Sequence, residues 1–110
     1  MAVLLCSLFV STTAFAQKGI KKETIKVWGN CGMCKTKIEK AAKTAGAVKA
    51  NWNEETGELK VQYKEAVTSS QKIQAAIGKA GYDTQDVTGD DAAYKKLHSC
   101  CQYTRKAEKQ

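Results

Sequence analysis

Proline is absent from this 110-residue chain, histidine occurs once, and phenylalanine occurs twice. With no X–Pro bond there can be no cis-proline facing a redox-active cysteine pair, as thioredoxin-like enzymes require. The lone histidine, His98, lies near the C-terminus. The body of the chain therefore holds no histidine for general acid–base work and no nucleophile–base constellation. No apolar run approaches the ~20 residues needed to span a bilayer. Acidic residues are also scarce: 11 Asp and Glu stand against 18 Lys and Arg, a net charge of +7. The excess favours acidic partners or anionic surfaces, but its first reading is a solvated lysine coat. Glu54, Glu55, Asp90 and Asp91 read as turn and cap residues rather than as an acid–base pair.

What is present begins with an apolar segment, Ala2–Val10, followed by Ser11-Thr12-Thr13 and Ala14-Phe15-Ala16. That is the apolar core and small-x-small cleavage site of a secretory signal. Residues 1–16 are read as a signal peptide, and the protein as exported to the periplasm. The basic stretch that usually opens such a signal is missing, so a start upstream of Met1 is expected. Leu5 occupies the place where a lipoprotein signal at Cys6 wants a small residue. Removal of the signal leaves residues 17–110, enough for one small core. It also leaves Cys31, Cys34, Cys100 and Cys101. An even cysteine count in an oxidising compartment ordinarily reads as disulfides. Cys31 and Cys34 enclose too short a loop for much entropic gain. Cys100 and Cys101 are adjacent, which disulfide geometry tolerates poorly. Both pairs are better explained as metal ligands or reactive thiols.

Thr24–Trp28 reads as a strand with Ile25 and Val27 on one face, broken by Gly29-Asn30. From Cys34 the apolar spacing turns helical, through Ile38, Ala41 and Ala45, and Gly46 supplies the stop. Val48, Ala50 and Trp52 alternate with polar residues, as do Leu59, Val61 and Tyr63; Glu54–Gly57 between them reads as a hairpin turn. Thr68 with Gln71 predicts a capping box for a second helix with Ile73, Ala76, Ile77 and Ala80 on its apolar stripe. Gly81 ends it, and Tyr82–Val87 is the closing strand. The order βαββαβ predicts an α+β, ferredoxin-like sandwich: a four-stranded antiparallel sheet with two helices on one face. The first loop and the loop before the last strand fall at the same end. Beyond residue 87 lies an extension, 88–110, with a short helix expected over Ala92–Tyr103 and a fraying polar end from Thr104.

Cys31-Gly32-Met33-Cys34 lies between the first strand and the first helix. The N–H groups and dipole of a helix start favour anions, so Cys34 is expected to ionise readily, helped by Lys35 and Lys37. Two thiolates on a glycine-containing loop suit a soft ion that accepts two sulfurs. Cu(I) fits best and Hg(II) follows by the same rule. A closed Zn(II) site wants four ligands, and the loop supplies two. An open pair allows transfer, because a partner's thiolates can enter before the first pair leaves.

Cys31-Gly32-Met33-Cys34 in this setting, the order of the six elements, Gly46-Ala47-Val48 and Gly81-Tyr82 together resemble the heavy-metal-associated domain family. That family includes copper chaperones, the periplasmic mercury-binding protein and the amino-terminal modules of metal-exporting ATPases. The resemblance covers residues 23–87. It implies a ferredoxin-like fold, metal held by Cys31 and Cys34, and Tyr82 close to the metal loop. The implied partner is a metal-transporting membrane protein or another carrier, with neither a nucleic acid nor a small-molecule substrate. A monomer is expected, a metal-bridged dimer being the alternative.

Two departures stand out. The family usually has Gly-Met-Thr before its first cysteine; here stand Trp28-Gly29-Asn30, without the methionine that packs beneath the loop. Met33 lies between the cysteines instead, and its direction is open. Asn30 cannot supply the aspartate charge of members that handle zinc, which shifts weight to copper or mercury. The second departure is His98-Ser99-Cys100-Cys101. Cys100 and Cys101 are candidate additional ligands from a tail that folds back, and His98 is a weaker one. A four-thiolate zinc site made with Cys31 and Cys34 is one rival. A thiol–disulfide redox protein is another, against which the element order stands. RNA binding is a third, but Trp52 and Tyr63 occupy core-facing positions rather than a stacking surface.

Overall fold

The computed structural model describes residues 19–106, so the predicted signal peptide, 1–16, lies outside the described residues. Three strands form the sheet: β1 (Ile20–Lys26), β2 (Lys49–Trp52) and β3 (Glu58–Lys64). β3 is central and antiparallel to both neighbours. Ile25 pairs with Leu59, which pairs on its other side with Trp52. This register puts Ile25, Leu59, Val61, Tyr63 and Trp52 on one buried face. A slip by one residue would bring Lys26, Lys60 and Lys64 inward, so the alternation itself specifies the pairing.

Helices α1 (Gly32–Thr44) and α2 (Ser70–Lys79) cover that face with Cys34, Ile38 and Ala42, and with Ile73 and Ile77. Trp52 and Tyr63 are both buried, so neither offers a surface on which a base could stack. The hairpin turn falls where predicted. Asn53 Oδ1 accepts from the N–H groups of Glu55 and Thr56, at 2.7 and 3.1 Å. α1 ends at Gly46, whose φ of 113° is a left-handed conformation that glycine adopts without strain.

Three expectations are corrected. The cap of α2 is Ser69, whose hydroxyl accepts from Lys72 N–H at 3.2 Å, not Thr68. Thr68 is instead buried, packed where a Cβ at Gly46 would meet it at 2.9 Å.

The fourth strand does not form. Only Val27 and Thr84 make a bridge, with Trp28 N–H donating to Asp83 O and Gln85 N–H to Lys26 O. The cause is local. Thr84 and Val87 bond each other's backbone in a tight turn. The buried Gln74 of α2 holds that turn, accepting from Thr84 Oγ1 at 2.6 Å and from Asp86 N–H at 3.1 Å. These donors are withdrawn from any ladder along β1.

As far as residue 106 the extension is not one helix followed by a fraying end; residues 107–110 of that predicted end lie outside the described residues. A short helix α3 (Asp91–Lys95), capped by Asp90, gives way to a 3₁₀ turn at Ser99–Cys101. The chain then runs back over the domain, burying Leu97, Cys101, Tyr103 and Arg105.

Candidate metal centre

The loop leaving β1 passes over the indole of Trp52. A Cβ at Gly29 would meet that ring at 2.9 Å and Ile38 Cδ1 at 3.2 Å. Gly29 stands where the family's methionine is missing, and Trp52 fills the space beneath the loop. Its Nε1–H donates to Val27 O at 3.0 Å, which anchors the ring there.

Cys31 occupies the N-cap of α1 in an extended conformation and makes no full capping hydrogen bond. The N–H groups of Cys34 and then Met33 still bear on its sulfur, and they lower its pKa from 9.0 to about 7. The acidified thiol is thus the cap residue. Lys35 does not assist it: its ammonium is committed to Glu39, Asn51 Oδ1 and Trp52 O. Cys34 lies fully buried and accepts from Asn30 N–H at 3.4 Å. The expectation of a freely open pair is corrected accordingly, since only the Cys31 side remains accessible.

The returning tail packs its 3₁₀ turn against α1. It delivers Cys101 into the core beside the loop, and the Sγ atoms of Cys31, Cys34 and Cys101 all lie within 4.8 Å of one another. Burial, then the neighbouring Cys34 thiol, pushes the Cys101 pKa up to about 12. Cys100 stands outside that triangle, exposed, with its Sγ 3.7 Å from Cys31 Sγ. Asn30 ties loop to tail by donating from Nδ2 to Cys100 O at 3.2 Å. Tyr82 is fully buried, and its hydroxyl has no hydrogen-bond partner among the described residues. Burial raises its pKa first, and the two thiols raise it further. Met33 is 42% exposed on the surface of the loop. His98 is exposed and precedes the 3₁₀ turn, outside the sulfur triangle.

Residues that the sequence pattern did not mark hold this tail in place. Tyr103 stacks on Tyr82 at 5.6 Å between ring centroids. Its hydroxyl donates to Gly81 O at 2.7 Å and accepts from Asp83 N–H at 2.8 Å. Arg105 forks onto Asp83 at 3.0 and 2.8 Å and reaches Asp91 at 3.0 Å. Burial would raise the Asp83 pKa, but Arg105 and the N–H groups of Gly89 and Lys106 outweigh it and hold the carboxyl at about 2. Asp83 follows Tyr82 within the weak closing segment, and Arg105 lies 22 residues further on. Their only sequence signal was opposite charge at a distance no local rule connects.

A split βαβ core with two cysteines at the start of its first helix defines a soft-metal-binding domain. The heavy-metal-associated domain model matches residues 30–83. The chain belongs to the heavy-metal-associated domain family. Among solved structures it is similar to the CopZ metallochaperone, with 33% identity over 58% of this chain and 98% of that one, TM-score 0.55. Oxidized MerP from Ralstonia metallidurans CH34 is 31% identical over 60% of this chain and 94% of that one, TM-score 0.57. The water-soluble region of the P-type ATPase CopA from Bacillus subtilis is 36% identical over 59% of this chain and 44% of that one, TM-score 0.55. Comparison with curated proteins gives no match.

Proposed function

We propose that this protein is an exported carrier that binds one Cu(I) through Cys31 and Cys34 and passes it to a metal-transporting membrane protein or another carrier. The observation that carries the reading is the convergence of both loop sulfurs at one end of the domain, within reach of a single ion. Soft thiolates select a soft ion. The sulfur triangle holds three thiols rather than the four of a closed zinc site, and Cys100 stands outside it. The likeness to the CopZ metallochaperone supports a metal carrier, and that to the water-soluble region of the P-type ATPase CopA supports a membrane transporter as recipient. The likeness to MerP supports Hg(II) as the second reading. Export rests on the leader-like pattern of residues 1–16. Exposed Lys40 and Lys43 on α1 suit an acidic docking surface.

Titration of reduced protein with Cu(I) against a chromophoric chelator tests the reading. Cys31→Ser/Cys34→Ser abolishes tight binding while circular dichroism shows the fold retained. Undiminished affinity in that folded double variant would overturn it.

A further inference from the structure

We propose that Cys101 is a resident third ligand, so that the ion is held by three sulfurs, Cys31, Cys34 and Cys101, in a trigonal site closed by the tail. The inference rests on the reading of Cys31 and Cys34 as a metal pair and specifies what that pair becomes in this chain.

Geometry carries it. With metal–sulfur bonds of ~2.3 Å, a linear two-sulfur site sets its sulfurs ~4.6 Å apart and a trigonal one sets them ~4.0 Å apart. The three Sγ atoms already lie within 4.8 Å of one another, so a trigonal ion requires only small side-chain rotations. Packing of the tail places the third sulfur there. Tyr103 stacks on Tyr82, Tyr94 Oη donates to Tyr103 O at 2.6 Å, and Arg105 grips Asp83. These contacts order the tail, which makes the site preorganised. A second observation points to a charged occupant. The Tyr82 hydroxyl is fully buried and has no hydrogen-bond partner among the described residues. An orphaned donor in the core is unfavourable unless it has an acceptor. Thiolates gathered round a cation supply one, because metal-bound sulfur is deprotonated and accepts hydrogen bonds.

Such a site holds its ion more firmly than an open pair. With Cys34 and Cys101 buried and only the Cys31 side accessible, release requires a partner's thiolate to displace an internal ligand.

The test uses the full mature chain, reduced and loaded anaerobically with one equivalent of Cu(I), with X-ray absorption to count sulfur neighbours. Wild type shows three sulfurs. Cys101→Ala shows two and loses at least about tenfold in affinity against a competing chelator, the low end of what losing even an outer partner causes. Two sulfurs in wild type, or three persisting in Cys101→Ala, overturns the third ligand and leaves the Cys31–Cys34 reading standing. Unimpaired binding in Cys31→Ser/Cys34→Ser removes the underlying reading instead. The wild-type count stands alone should Cys101→Ala fail to fold.

Discussion

Cys31 and Cys34 share one helical turn but not one environment. Cys31 faces the N–H groups of the first turn and is partly accessible, whereas Cys34 is fully buried in the core. Alkylation of the reduced, metal-free protein is therefore expected to modify Cys100 and Cys31 first, leaving Cys34 and Cys101 until denaturant is added. The rate at Cys31 should follow its thiolate. It is expected to level off above pH 7 and to fall about tenfold per unit below it. A midpoint near the ordinary 9.0 rather than about 7 would contradict the assigned surroundings. The pairing of the cysteines with a helix start was legible in Cys31-Gly32-Met33-Cys34. The acidification of Cys31 was not, because it depends on which backbone N–H groups bear on the cap sulfur.

At the scale of elements, the ion pair between Asp83 and Arg105 joins the aborted fourth strand to the tail. Asp83 is 1% exposed and Arg105 9%. Removing one partner leaves a buried charge without compensation, so Arg105→Ala is expected to destabilise the fold by about 3–5 kcal/mol. Asp83→Asn in the same background should recover part of that loss, since the orphaned charge goes with it. Chemical denaturation of the single and double variants measures both, and equal stability of the two would mean that charge burial is not the cause. The pH dependence has a definite sign. The folded-state pKa of Asp83 is depressed from 3.8 to about 2, so its contribution is present above pH 4 and is lost as pH falls towards 2. That contribution is about 2 kcal/mol. Asp83→Asn should flatten acid unfolding in that window. The closing strand was predicted from Tyr82–Val87 because its residues alternate. Gln74, a polar residue on an apolar helix stripe, gave no warning that it would hold the Thr84 hydroxyl and take the Asp86 N–H from the ladder.

For the whole molecule, the tail changes what the domain can do. The family core is complete without it: about three-fifths of this chain covers nearly all of CopZ. Truncation after Val87 should leave a folded domain that has lost the Tyr82–Tyr103 stack, about 0.5–1.5 kcal/mol beyond the area it buries. It should also expose Cys34 to alkylation in the native state. Mass spectrometry of the labelled, truncated protein decides this, and a Cys34 still protected would show that the core alone buries it.

The sequence by itself determined the βαββα order, the face each strand buries and the position of the cysteine loop. Period-two and helical apolar spacing are local, and one register satisfies them together. It also placed Tyr82 beside the loop, through the resemblance carried by Gly81-Tyr82. Only the tertiary structure decided that Cys101 joins Cys31 and Cys34 while Cys100 stays outside. It alone decided that Trp52 fills the room left by Gly29. Those outcomes depend on contacts between segments tens of residues apart. Shape and charge complementarity select such contacts, and no periodicity along the chain records them.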